Sequence, residues 1–404
     1  MKSIFYLLTI LFLSLLIACS EEPPTYIDVD SLSKKPKPPE PTQPLPALNQ
    51  NTKYIVGYND EERHSDPKVF IWDGSNLSEN WWSRSIEAFT IGGVGIGNFI
   101  GESGSSKELI VERRIKTGRG NNKKEYQELL IFMEGETEPT VIFRLRQHFD
   151  FRDAVWDMKI GNVDNDAELE IVILFRDQIE IWEYDDNSGF SFKASNDYYS
   201  SSSIPWRADI SNFDGDNVNE IIVAFGGGPL WRVYKDNGSQ TMTEVQEAPV
   251  SGEINSLSSA KMINIDNVGG IEVIGCSSSP NKLLLWEDPN TNPTAFIASQ
   301  EFIYSPWGVG VGDLDGDPLD GKIIAGVYRG GLHLLHYAGG GLIYDEEVVP
   351  GLPVSLDGVI VADINNNNAL EIIVATENGL QVFDDTFFNP FVDNVGRTKG
   401  IVCQ

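Results

Sequence analysis

"SNFDGDNVNEIIVA", residues 211–224, sets six Asp, Asn or Glu side chains directly in front of a β-branched apolar run. Two kinds of loop use such a stretch. One gathers hard oxygen atoms around a cation. The other is an acidic turn whose Asp and Asn side chains bond their own backbone.

The stretch is one copy of a repeat. It returns as "GNVDNDAELEIVILF" from 161, "INIDNVGGIEVIGC" from 263, "GDLDGDPLDGKIIAG" from 312 and "ADINNNNALEIIVAT" from 362, with a worn copy, "GNFIGESGSSKELIVE", from 97. The anchors Asn98, Asn162, Asn212, Asn264, Asp313 and Asp363 are spaced by 64, 50, 52, 49 and 50 residues. The long first interval contains the 14-residue basic insert "RRIKTGRGNNKKEY" (113–126), and without it the period is uniform. In each unit a short apolar run precedes the loop, a β-branched run follows it, and an alternating strand with a bulky end comes next, as in "QIEIWEY" and "PLWRVYK". Period-two alternation between turn signals reads as β throughout. Four strands in about fifty residues is the size of a propeller blade.

The ends supply one more unit. "KYIVGYND" (53–60) and "KVFIWDG" (68–74) match the second and third strands of a unit that lacks its first, and "TKGIVCQ" (398–404) is a spare apolar strand. Pairing the two ends gives an all-β, seven-bladed propeller over 53–404 and leaves no open edge.

Numbered from the anchor, Asn212, Asp214 and Asp216 take positions 1, 3 and 5 and Glu220 takes position 9. Alternate side chains converge on one point while the loop wraps it, and Val218 offers a carbonyl. The EF-hand pattern fails, since it needs Gly at position 6 and Glu at position 12 between helices, where this chain has Asn217 and Val223 flanked by strands. These loops resemble those of FG-GAP/VCBS repeats, the units of integrin-α-type propellers, over residues 53–404. The resemblance implies Ca²⁺ in two to four loops: Asn162, Asp164, Asp166 and Glu170; Asn212, Asp214, Asp216 and Glu220; Asp313, Asp315 and Asp317, with position 9 open to Asp320; and Asp363, Asn365, Asn367 and Glu371. The loop with Asn264, Asp266 and Glu272 has Val268 at position 5, and the Asn98 loop has lost the pattern. Self-satisfied Asx turns remain the alternative.

Before the repeats, an apolar run from Ile4 to Ile17 ends in "LIAC" (16–19). The run is short for a transmembrane helix and fits a signal peptide over 1–18. "LIAC" resembles a bacterial lipobox, which implies lipid on Cys19 and an outer-membrane anchor in the cell envelope. "SEE" (20–22) resembles the acidic tether of surface-exported lipoproteins. Residues 19–52 read as a spacer whose Pro- and Lys-rich part, 31–48, favours extended polyproline II.

Thirty Lys plus Arg stand against 60 Asp plus Glu, a formal charge of −30. That balance opposes nucleic-acid binding. Beyond Cys19 the chain has two cysteines, Cys276 in an apolar run and Cys403, so this is no disulfide scaffold. Trp156, Trp206 and Trp307 lie six residues before their anchors, where other units have Gly92, Ser258 and Asp357. They are expected at the channel mouth opposite the acidic loops, either stacking on a glycan or gripping a protein, or plugging the funnel. Trp72, Trp182, Trp231 and Trp286 fall in third strands and read as inter-blade core. The insert, with Arg113, Arg114, Lys116, Arg119, Lys123 and Lys124, reads as a long hairpin.

Catalytic signals are thin. His333 and His336 are three apart on a strand, hence on opposite faces. The Gly runs 226–228 and 339–341 lack the Lys-Ser/Thr of a phosphate loop. The expected function is that of a monomeric surface binding module for a glycan or protein. The alternative is a polysaccharide lyase or glycoside hydrolase-like enzyme, since a carboxylate pair among so many acids can do that chemistry.

Overall fold

The computed structural model describes residues 26–27, 54–58, 67–72, 77–82, 90–98, 108–117, 124–133, 136, 139–147, 155–164, 166, 168–185, 188–197, 203–216, 218–265, 270–314, 321–364, 369–383, 391–393 and 400–403. The expected signal segment, Cys19 and most of the expected spacer lie outside them.

Every regular element among the described residues is a strand. β1 (Tyr26–Ile27) is followed by β2 (Tyr54–Tyr58), β3 (Pro67–Trp72) and β4 (Leu77–Trp82), then β5 (Thr90–Gly97), β6 (Glu108–Thr117), β7 (Lys124–Phe132) and β8 (Val141–Gln147). The next repeats hold β9 (Val155–Gly161), β10 (Glu170–Phe175), β11 (Gln178–Asp185) and β12 (Gly189–Asp197), then β13 (Ile204–Ser211), β14 (Glu220–Gly226), β15 (Trp231–Lys235) and β16 (Thr243–Ala248). β17 (Leu257–Ile263), β18 (Glu272–Ser278), β19 (Asn281–Trp286) and β20 (Ile297–Ala298) come next, then β21 (Pro306–Gly312), β22 (Lys322–Val327), β23 (Gly331–Ala338) and β24 (Gly341–Pro350). The chain ends with β25 (Val354–Ala362), β26 (Glu371–Thr376), β27 (Gly379–Phe383), β28 (Phe391–Asp393) and β29 (Gly400–Cys403).

These strands form antiparallel sheets, six of four strands and one of five. Repeated sheets of this kind, joined in sequence, are a β-propeller. In the terminal sheet the order is β29-β2-β3-β4, with Ile55 opposite Cys403 and Tyr58 opposite Gly400. The first strands touch in turn, β5 to β9, β13, β17, β21, β25 and β29, and β29 meets β5. The insert is a hairpin as expected: β6 and β7 stay paired out to Thr117 and Lys124. One feature departs from a free spacer. Tyr26–Ile27 pairs with Phe143 and Ile142 as a fifth strand, covering the β8 edge that would otherwise present unpaired backbone groups.

The core lies between sheets, which explains the unbroken apolar second strands. In β14, Ile221, Val223 and Phe225 pack towards β10 and β11, while Ile222 and Ala224 pack towards β17–β19 with Trp231 and Trp286. A strand covered on both faces has no polar face to alternate with. Trp182, Trp231 and Trp286 are buried between sheets, and the last two meet edge-on at 5.8 Å. The Trp72 side chain lies outside the described residues. Cys276 is buried on β18.

Glycines let the first strands close up. A Cβ on Gly310 of β21 would lie 2.7 Å from Val361 Cγ2 of β25, nearer than side-chain atoms pack. The run "GVGVG" therefore supplies the smooth wall against which β25 rests.

Candidate functional site

Each acidic loop runs from the end of a first strand to the start of a second. Four of them share a contact that the ligand numbering did not anticipate. The position-9 carboxylate turns back and accepts, through Oε2, the backbone N–H just after the anchor. Glu170 takes Val163 N at 2.7 Å, Glu220 takes Phe213 N at 2.7 Å, Glu272 takes Ile265 N at 2.7 Å and Glu371 takes Ile364 N at 2.9 Å. All four glutamates are buried. Glu spans this gap where Asp, shorter by a methylene, would not. The worn unit keeps the residue as well: Glu108, buried, stands opposite Gly97 as Glu170 stands opposite Gly161. The Asp313 unit does not. Lys322 holds that register, opposite Gly312.

The aspartates fold the loops. Asp164 Oδ1 accepts Asp166 N at 2.9 Å and Asp166 Oδ1 accepts Glu168 N at 3.0 Å. In the next unit Asn212 Oδ1 accepts Gly215 N at 2.6 Å, Asp214 Oδ1 accepts Asp216 N at 3.2 Å and Asp216 Oδ1 accepts Val218 N at 3.0 Å. These are Asx turns, and each uses one oxygen of its side chain. The carboxylates remain grouped. Oxygens of Asp164, Asp166 and Glu170 lie within 4.8 Å of one another, as do those of Asp214, Asp216 and Glu220. Asn162 turns its amide onto Asp166 O, and Asn219 Nδ2 donates to Asn162 O at 2.6 Å, tying adjacent loops. Asp313 and Asp363 begin their loops as expected, whereas Asp266, Asp315, Asp317, Asp320, Asn365 and Asn367 lie outside the described residues.

The two clusters differ in their cations. Lys235 Nζ sits 2.8 Å from Asp214 Oδ2, 2.5 Å from Asp216 Oδ2 and 2.8 Å from Glu220 Oε1. Lys193 Nζ is 2.8 Å from Glu183 but 3.5 and 3.9 Å from Asp164 and Asp166. Glu170 Oε1 is buried and accepts no hydrogen bond. Burial, only partly offset by the Val163 N–H and reinforced by Asp164, Asp166 and Glu183, pushes the Glu170 carboxyl up to about 8. At Lys235, burial works against the charge, but the bonds to the three carboxylates outweigh it and raise its pKa; the same lysine draws Asp216 down.

The opposite side is built differently. In the first strands a β-bulge falls on the residue six before the anchor: Gly92, Trp156, Trp206, Ser258 and Trp307, with an irregularity from Val354 to Val359 in β25. A bulge re-aims its side chain and frees backbone carbonyls. Arginines take up several carbonyls around these bulges. Arg207 donates to Trp156 O and Trp206 O, both at 2.8 Å, and Arg114 donates to Val155 O at 2.8 Å.

The three tryptophans are half-buried and do not stand apart. Trp156 meets Trp206 edge-on at 5.3 Å, and Trp307 stacks on Tyr328 at 3.9 Å. Arg329, in the turn between β22 and β23, stands over Tyr328 at 4.9 Å and holds a left-handed backbone, φ 56°. Beside it opens a cleft of about 310 Å³ lined by Phe302, Ile303, Tyr304, Arg329, His333 and Tyr344, among others. Ile303 is 88 % exposed at the edge of this cleft. His333 Nδ1 lies 3.2 Å from Tyr344 Oη, and burial holds its pKa below the usual histidine value. His336 pairs with Asp345 at 2.8 Å, away from His333.

Lys193, Lys235 and the cleft could not be read from residue spacing. Each depends on which residues face across a ladder or a sheet-to-sheet link.

No family model matches the chain, and no curated protein matches it. Solved structures do. A protein from Lactobacillus plantarum is 8% identical, with a TM-score of 0.57, over 87% of this chain and 99% of its own. A protein from Bacteroides fragilis, provisionally named a 6-phosphogluconolactonase, is 9% identical, with a TM-score of 0.55, over 89% of this chain and 99% of its own. A periplasmic gluconolactonase from Pseudomonas aeruginosa is 11% identical, with a TM-score of 0.54, over 87% of this chain and 98% of its own. At these identities the likeness is one of fold, a β-propeller.

Proposed function

We propose that the chain is a binding module of the bacterial envelope that holds a glycan or protein ligand on the side opposite its acidic loops. On this reading residues 1–18 are removed, lipid on Cys19 anchors the chain to the outer membrane, and 19–52 space the body from it. The seven sheets are the blades of a closed, monomeric, FG-GAP/VCBS-type propeller. The observation that carries the ligand reading is the Trp307–Tyr328–Arg329 stack beside the cleft with its exposed Ile303. Flat apolar faces next to an Arg, Glu301 and Glu347 suit a sugar that carries a charged group.

Calcium belongs to the same reading. The Asn162 loop fits a divalent ion: Glu170 Oε1 is buried without a hydrogen bond and two further carboxylates stand beside it. Asp164, Asp166 and Glu170 would hold the ion, which would draw the loop closed and add stability to the folded chain.

The test is a glycan array probed with the full chain, followed by examination of any bound glycan for breakdown products. Binding without turnover is the expected result, and the absence of any binding overturns the glycan reading. A carbohydrate-active enzyme is the second reading, favoured by the His333–Tyr344 contact inside the cleft and by the gluconolactonase names among the fold neighbours. Hydrolysis of a sugar lactone or cleavage of a glycan, lost in His333→Ala, would decide for it.

A further inference from the structure

In two repeats a lysine reaches the carboxylates of the acidic loop, and in a third a lysine stands where the loop ends, each time from a different element. Lys193 comes from β12, Lys235 from the end of β15, and Lys322 stands at the start of β22 in the register that other repeats give to the buried glutamate. The Asn212 loop carries this furthest. An ammonium has three N–H donors and no acceptor. Lys235 Nζ meets three carboxylate oxygens, one each from Asp214, Asp216 and Glu220, at 2.8, 2.5 and 2.8 Å. Two of these contacts are hydrogen bonds, to Asp214 and Asp216, and Glu220 Oε1 completes the set as an ion pair. Calcium binds oxygens at about 2.3–2.6 Å, so ion and ammonium would need nearly the same space and cannot share it.

We propose that Lys235 is the resident cation of the Asn212 loop, and that this loop takes no divalent ion while Lys235 is present. Tethering favours the lysine, because its ammonium is always at hand whereas a free ion must be captured from solution. The neighbouring loop shows what one side chain changes. Opposite Glu170 the ladder places Glu183; the next ladder pairs Ile221 with Tyr234, so that Lys235 follows opposite Glu220. With Glu183 in that place, Lys193 is drawn onto Glu183 at 2.8 Å and stands off from Asp164 and Asp166. Two loops of nearly the same composition thus differ in ion content through the residue on the third strand.

This inference bears on the acidic loops and is independent of the ligand face. Calorimetric titration of the full chain with Ca²⁺, after stripping with chelator, tests it. Asp214→Asn with Asp216→Asn should leave the number of bound ions unchanged, and Lys235→Met should raise it by one per chain. A lost ion in the double Asn variant overturns the proposal, as does a folded Lys235→Met chain that gains none. If Lys235→Met does not fold, the double Asn variant alone decides. Parallel titration of Asp164→Asn with Asp166→Asn reports on the calcium reading of the Asn162 loop separately, so the two can fail independently.

Discussion

The side chain of Glu220 receives the backbone N–H of Phe213, seven residues earlier, at 2.7 Å, and the same bond recurs in three other repeats. It closes the loop on itself before any ion is considered. Glu272 isolates the effect, because Val268 stands where its neighbours have the position-5 carboxylate. Glu272→Ala strands the buried Ile265 N–H and is expected to lower stability by about 1–3 kcal/mol. Glu272→Gln keeps an acceptor and should recover much of that. Urea unfolding of the three chains measures it.

Glu170 ties stability to pH. Its carboxyl titrates near 4.5 when free and about 8 in the fold. Because the folded value is the higher one, its contribution is fully present below 4.5 and is lost as pH rises towards 8. In chelator the melting temperature should therefore fall across that window, and Glu170→Gln should flatten the fall. Differential scanning calorimetry at a series of pH values reads both.

Calcium at the Asn162 loop should reverse that loss by holding the carboxylates ionised. At a hundredfold excess over Kd a ligand adds about 2.7 kcal/mol, worth several degrees in a chain of this size. Chelation should lower Tm by that amount, and Asp164→Asn with Asp166→Asn should make the melt insensitive to chelator.

Arg329 sits at φ 56°, where a residue with a Cβ is strained by about 1–2 kcal/mol. Arg329→Gly should stabilise the chain by about 1 kcal/mol and weaken ligand capture by removing the charge over Tyr328. Stability and binding moving in opposite directions, in thermal melts and array signal, is the expected signature; a variant that loses both refutes it.

Trp156 and Trp206 pack on each other, and Trp206 lies against Gly226. Each single Ala variant should therefore lose stability. A double-mutant cycle should return a coupling of about 0.5–1.5 kcal/mol. Additivity within error would mean that the rings serve something outside the fold.

The repeat, its strand content and the pairing of the chain ends were legible because they depend on local period and spacing. "EIIVA" reads as a strand wherever it stands, and "TKGIVCQ" reads as the partner that "KYIVGYND" lacks. The loop chemistry was legible in part. The sequence spacing of Asp214, Asp216 and Glu220 marks three carboxylates that meet, but not that Glu220 spends one oxygen on Phe213 N or that Lys235 arrives from the third strand. Those facts live in ladder register, which a one-residue slip reverses. The aromatic side was least legible, since Trp307 and Tyr328 are 21 residues apart and meet only through a bulge and a turn.

The sheet that joins β29 to β2 pairs residues 55–58 with residues 400–403, from opposite ends of the run of repeats. A ribosome completes the inner strand of that sheet only after every other sheet has emerged. Until then β2 lacks its neighbour and β5 has an open flank, so the nascent chain carries a sticky edge for the whole time of its synthesis. Long-range closure of this kind is slow and prone to cross-pairing between molecules. A chaperone that shields residues 54–58 would therefore matter more to this protein than one that recognises any later repeat.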